Sequence, residues 1–432
     1  MPIVGVFGIF VLVFILFFLR IPVAFAMAAV GFFGFWFMTS FQASSTMLGM
    51  TLWSTFSKYS LMVIPFFVFM GEIAYYSEVN KRLYSTAYKW IGHIKGGIAM
   101  ATIVACSMFS AICGSNAATA ATMATVAIPE MKKFKYNSIL STGSIASGST
   151  LGVIIPPSVV LIVIGIYTGL SISKLFYGSV PAGILLTLML LITTYFLCKI
   201  HPDWGPTGPR YSLKEKIKAL PGSIEIVVLF LLVMLGLYKG FFTPTEAGAA
   251  GSALAILISL ITRRLSWNGF KLAILDTLRI SCMIILLVTG ALIFGRFLAI
   301  TRLPFEIASW VVSLNLNRSL IMFFIFLIYI IGGALMDALA LLLVTIPIFF
   351  PVAVKLGYDP IWFGVVITVV TTLGAITPPV GVSIYIISEI SRDIPLENIF
   401  KGVFYYIPAY ILCLIIFLIF PEIITSISNL VH

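Results

Sequence analysis

Of 432 residues, 61% are apolar and only 9% are Asp, Glu, Lys or Arg. A soluble chain carries about 45–50% apolar and about 25% charged residues, so soluble, disordered, fibrous and disulfide-framework classes are excluded. At about 20 residues per crossing, this apolar content allows roughly 13 spans, as in a polytopic all-α membrane protein. The net charge of +11 does not point to nucleic acid, because the basic residues sit in short gaps between apolar runs. That is the pattern of topology-setting charges, and the bilayer is the expected partner.

In chain order, apolar runs occupy 3–19, 21–38, 57–76, 138–170, 176–198, 223–240, 245–262, 275–300, 360–390 and 403–424. The first lacks the basic flank of a signal peptide and runs through Arg20 into a second apolar run, so it reads as a retained helix. With the N-terminus outside, ten crossings place 18 of the 26 basic residues on the inner side. They are Arg20, Lys81, Arg82, Lys89, Lys95, Lys132, Lys133, Lys135, Lys199, Arg210, Lys214, Lys216, Lys218, Arg263, Arg264, Lys271, Arg392 and Lys401. The positive-inside bias favours this threading over its inverse, and it puts both termini on the outer face.

Residues 97–130 and 318–351 are apolar but would upset the charge pattern if they crossed. Gly114-Ser115-Asn116 and Gly332-Gly333 interrupt them, so each reads as a re-entrant hairpin, one from each side. Non-helical backbone at that depth needs protein or a wet cavity to satisfy it. Residues 78–95 mix basic and aromatic side chains as an inner interfacial helix does, and 305–316 resemble an outer counterpart. The Pro- and Gly-rich stretch 201–222 is the one substantial hydrophilic loop and reads as a link between halves. Five scattered cysteines form no CxxC pair, and three distant histidines offer little for a metal site or proton relay.

Sliding the sequence on itself by 222 residues aligns 129–164 with 351–386 at 14 of 36 identities. The match includes Thr150-Leu151-Gly152-Val153-Ile154-Ile155-Pro156-Pro157 against Thr372-Leu373-Gly374-Ala375-Ile376-Thr377-Pro378-Pro379. Five crossings separate the copies in the threading above, so the repeats are inverted. Inverted repeats with paired interruptions are the sequence pointer to a secondary-transporter site at the midplane. Proline removes a backbone donor and pushes the preceding residue out of helical geometry, so each Gly-to-Pro-Pro segment should split a helix.

Split helices should leave carbonyls of Gly152, Ile155, Gly374 and Thr377 without helical partners, and a dehydrated Na+ satisfies several such oxygens at once. Half-helix N-termini at the same level offer positive dipole ends to an anion. At the 222 offset Ser115 falls on Asp337, a carboxylate in an otherwise apolar stretch and therefore a functional candidate. Two Na+ sites are expected, one of Ser115, Gly152, Ile155 and Pro157, the other of Asp337, Gly374, Thr377 and Pro379. Ser115, Asn116 and Asp337 are the expected substrate contacts. Arg296 is a further one, although a snorkelling helix-end arginine explains it better. No HExxH, GxSxG or paired intramembrane carboxylate is evident, so no enzyme is expected.

Ile64-Pro65-Phe66-Phe67-Val68-Phe69-Met70-Gly71, Gly114-Ser115-Asn116-Ala117-Ala118-Thr119-Ala120-Ala121-Thr122-Met123 and the two Gly-x-x-x-Pro-Pro motifs together resemble the large membrane subunit of the TRAP transporters, in the ion-transporter superfamily. Asn116 stands where many members carry Ser. The resemblance covers essentially the whole chain. It implies Na+-coupled import of an organic acid across the bacterial inner membrane, with sialic acid the first expectation and a C4-dicarboxylate the second. It also implies a small membrane (Q) subunit, a periplasmic substrate-binding (P) protein, and an elevator in which 96–200 and 318–432 slide against a scaffold of 1–95 and 201–317. A carrier of the same superfamily working alone is the alternative.

Overall fold

The computed structural model describes residues 2–19, 21–314 and 316–430. Arg20, counted above among the inner charges, and both chain ends lie outside the described residues. Among the described residues all regular structure is helical, and nine helices are long and apolar enough to cross a membrane, the arms of the second hairpin included.

The repeat is visible in the backbone residue for residue. The first hairpin is Gly97–Cys113 and Asn116–Lys133, the second Arg318–Leu335 and Ala338–Lys355. Both ends of the second arm, and the start of the following helix at Ser138 and Pro360, keep the 222-residue offset. Capping explains the agreement. Ser115 and Asp337 cap the second arms, accepting from Ala118 N and Leu339 N, while Asn137 and Asp359 cap the next helices, accepting from Ile139 N and Trp362 N. Lys135 and Gly357, also a pair at this offset, both take the left-handed conformation that turns the chain between them.

The helices break where the prolines require. Ser138–Ser149 tightens through Thr150–Val153 and resumes as Val159–Thr168, and Pro360–Gly374 resumes as Val382–Ile390. Tyr410 hydroxyl reaches the Ser147 carbonyl at 3.0 Å and Thr150 Oγ1 at 2.5 Å, and Trp362 Nε1 donates to the Phe417 carbonyl at 3.0 Å. The C-terminal helices thus brace both broken segments. The run 403–424 is not one rod but three helices, Leu396–Phe404, Ile407–Ile419 and Glu422–Ser428, with Pro408 and Pro421 at the joints.

A second set of helices is tied by other contacts. Glycines allow backbone-to-backbone approach of Val23–Met38 to the 34-residue helix Trp267–Ile300. A methyl group on Gly290 would lie 2.3 Å from the Ala24 carbonyl oxygen, and one on Gly31 would lie 2.7 Å from Phe294 N. Gly290→Ala is therefore expected to lower the melting temperature of the purified protein in a thermal-shift assay, at the ~1–3 kcal/mol typical of overpacking. Gly49→Ala, which meets open space inside a helix, should not lower it and should raise it slightly through helix propensity.

Helix Phe41–Phe56 corrects the sequence reading, which assigns nothing there. Ser40 caps it, and Ser44, Met47, Thr51 and Thr55 form a buried stripe at helical spacing. Its hydroxyls hid the pattern from an apolar count; Ser44, for instance, donates to the Phe32 carbonyl at 2.8 Å. The loop 201–222 is also more ordered than a plain link. Gly96 N donates to Gly205 O, Asn137 N to Trp204 O and Gly208 N to Gly92 O, and a short helix, Leu213–Ala219, starts in a Ser212/Glu215 capping box. Held by two hydrogen bonds from Ser212, the exposed Glu215 carboxyl titrates below its usual range.

Candidate functional site at the hairpin tips

Both hairpin tips open into one cavity of about 320 Å3. Gly114 to Ala118 of the first tip and Asp337, Ala338 and Leu339 of the second line it, with Val159 and Val160 at the start of the resumed first helix. Three helix N-termini, at Asn116, Val159 and Ala338, therefore face one space, and their unpaired N–H groups and dipoles favour an anion. The opposite wall comes from the second set of helices: Val68, Gly71 and Glu72 of Val63–Tyr76, and Ile280, Met283 and Ile284 of Trp267–Ile300.

The first tip is clamped by backbone contact. A methyl group on Gly152 would lie 2.5 Å from the Ser115 carbonyl oxygen, and one on Gly114 2.9 Å from the Pro157 carbonyl oxygen. Ser115, Gly152 and Pro157 are thus brought together. Ile155 turns its side chain the other way, against Gly183. On the wall side, a methyl group on Gly71 would lie 3.2 Å from Cys113 Cα, so the two sets of helices touch through backbone beside the cavity.

The second half is arranged differently from the expectation. Gly374 packs on Gly333 and the Ile330 carbonyl, about one helical turn before Asp337. Its own carbonyl accepts from both Thr377 N and Thr377 Oγ1 at 2.9 Å, so it is not the free oxygen that the broken helix implied. The hydroxyl of Thr377, one residue before Pro378, reaches back to fill the gap the prolines create. Among the described residues, Gly374, Thr377 and Pro379 do not line the cavity, whereas Asp337 faces it together with Ser115. Asn116 also lines it, and its Oδ1 is buried without a partner.

Arg296 lies elsewhere. It lines a separate groove with Phe35, Gln42, Thr46 and Ile300, at the end of its helix, and does not meet the hairpin tips. In its place the cavity gains Glu72, which the sequence reading overlooks although the logic applied to Asp337 fits it equally: a lone carboxylate within the apolar run 57–76. Glu72 lies within electrostatic reach of Asp276, whose Oδ2 accepts from the Tyr76 hydroxyl at 2.6 Å. Carboxylates of two apolar runs thus come within electrostatic reach of one another, which the sequence reading does not anticipate.

The profile of the tripartite ATP-independent periplasmic transporter DctM component matches residues 10–423. The chain belongs to the DctM family. It is 32% identical to the C4-dicarboxylate TRAP transporter large permease protein of Pseudomonas aeruginosa, covering 88% of this chain and 89% of that one. It is 30% identical to the sialic acid TRAP transporter large permease protein of Vibrio cholerae, with 84% and 85% covered. The isethionate TRAP transporter permease protein DctMQ of Oleidesulfovibrio alaskensis is 32% identical over 78% of this chain and 53% of its own length. In fold it resembles the YdaH transporter of Alcanivorax borkumensis, with a TM-score of 0.65 at 13% identity, covering 88% of this chain and 90% of the other. These relatives are named as permease subunits and transporters, and this DctM subunit is a multi-pass inner-membrane transport protein, not an enzyme.

Proposed function

We propose that this DctM subunit imports an organic acid anion together with Na+, the acid being delivered by a periplasmic binding protein and the complex completed by a small membrane subunit. One observation carries the reading. The cavity offers three helix N-termini to an anion yet is lined by Glu72 and Asp337 and, among the described residues, by no Lys, Arg or His. Two carboxylates repel an organic acid unless cations enter with it. The clamp of Ser115, Gly152 and Pro157 supplies backbone oxygen for one Na+, and Asp337 supplies charge for a second. Two Na+ descending 100 mV provide about 4.6 kcal/mol from the electrical term alone.

In this reading the hairpins and broken helices, 96–200 and 318–432, move as a body against the wall that carries Glu72. In the same reading both termini lie in the periplasm, which the positive-inside bias of the loops supports. Sialic acid and a C4-dicarboxylate are the two acids to test first, and in this reading the binding protein selects between them. Proteoliposomes holding the complete complex should take up the acid only with a sodium gradient and with the loaded binding protein outside. Uptake of equal rate in potassium buffer would overturn sodium coupling. Uptake without the binding protein would instead favour a carrier that works alone.

A further inference from the structure

On the face that carries the loop 201–211, a groove of about 620 Å3 runs between helix Val79–Ile91 and the second arm of the first hairpin. Lys81, Lys89 and Lys133 stand on its rim, and Glu130 is the carboxylate that lines it. Lys89 and Lys133 rest over the rings of Tyr211 and Phe134 at 6.0 and 5.9 Å, and among the described residues neither meets an acid. Lys81 pairs with Glu78 at 2.5 Å, so Lys89 and Lys133 carry the uncompensated charge of the rim, against the single carboxylate Glu130.

The rest of the groove is shaped for something longer than a small ion. From Lys133 it follows the hairpin through Pro129 and Val126 to Thr125, eight residues and about 12 Å toward the tip. Its other side is the stacked pair Tyr84 and Tyr88, with ring centroids 6.2 Å apart. A free phosphate would need only the rim. A molecule with an anionic head and an aliphatic tail would fill both parts. Basic pockets between membrane helices on the inner side hold such headgroups.

We propose that this groove binds an anionic phospholipid of the inner leaflet, its phosphate among Lys81, Lys89 and Lys133 and one acyl chain along Pro129, Val126 and Thr125. The bound lipid touches both an element assigned to the scaffold and one assigned to the moving body. That assignment, and the choice of leaflet, rest on the function proposed above, whereas the binding itself does not. Membrane composition would then bear on the position of the hairpin.

The test is lipid retention by the purified full-length chain, read by native mass spectrometry and by thermal shift, with phosphatidylglycerol or phosphatidylcholine added. Wild type should retain phosphatidylglycerol and be stabilised by it. The triple variant Lys81→Gln, Lys89→Gln, Lys133→Gln should bind it about a hundredfold more weakly, and the Lys→Arg triple should bind it as wild type does. Glu130→Gln, which removes the opposing charge, should tighten binding about fivefold. Equal retention by wild type and the Gln triple would overturn the proposal. So would equal stabilisation by inorganic phosphate in phosphatidylcholine, since it would assign the rim to a soluble anion. Neither readout needs sodium, the acid or the binding protein, so a failure of the transport reading leaves this result interpretable.

Discussion

Asp337→Asn should abolish sodium-dependent uptake while leaving the fold in place. Asn caps a helix as well as Asp does, so the start of Ala338–Lys355 and the bond from Leu339 N survive the change. What is lost is one negative charge at the mouth of the cavity. Opposite charges about 4 Å apart at an effective dielectric near 20 attract by about 4 kcal/mol, close to three decades in cation affinity. The measurement is the sodium concentration giving half-maximal uptake in proteoliposomes. An unchanged value would remove Asp337 from the cation site. Glu72→Gln separates the two carboxylates: its partner Asp276 keeps the bond from Tyr76, so a change in sodium dependence reports on the cavity rather than on packing.

The second large effect is expected at Gly152. A single added methyl group meets the Ser115 carbonyl oxygen at 2.5 Å and Asn116 N at 3.0 Å, both backbone atoms of the hairpin tip. Flexible side chains could swing aside, but a capped helix start cannot, so Gly152→Ala must displace the tip by a substantial part of an ångström. Misplacement of about 1 Å at a positioned site costs about a hundredfold in rate. Uptake should fall by about that factor while the protein still reaches the membrane in normal amount. If Gly152→Ala transported at the wild-type rate, the clamp would have no part in the cycle.

Local chemistry explains what could be read from the sequence. The inverted repeat, the hairpins and the broken helices are written in caps, glycines and proline pairs that act within a few residues. Ser115 with Asp337, and Asn137 with Asp359, therefore appear in the structure as helix caps at the spacing the sequence gives. Contacts across the chain were not legible. Glu72 and Asp337 are 265 positions apart, and nothing local in either run says that they share a wall and a floor. Thr377 shows the opposite limit. Proline chemistry removes the usual donor to the Gly374 carbonyl at Pro378, but the backbone N and hydroxyl of Thr377 both donate to it instead. Helix Phe41–Phe56 escaped because its buried stripe is three parts hydroxyl to one part methionine.

The long helix Trp267–Ile300 carries one wall of the cavity at Ile280, Met283 and Ile284. About 20 Å of that helix lies before Ile280 and about 24 Å after Ile284. The cavity therefore sits close to the middle of the helix, with a comparable depth of packed rod on either side. A cargo held there stands about halfway along the wall, screened from both ends by several turns.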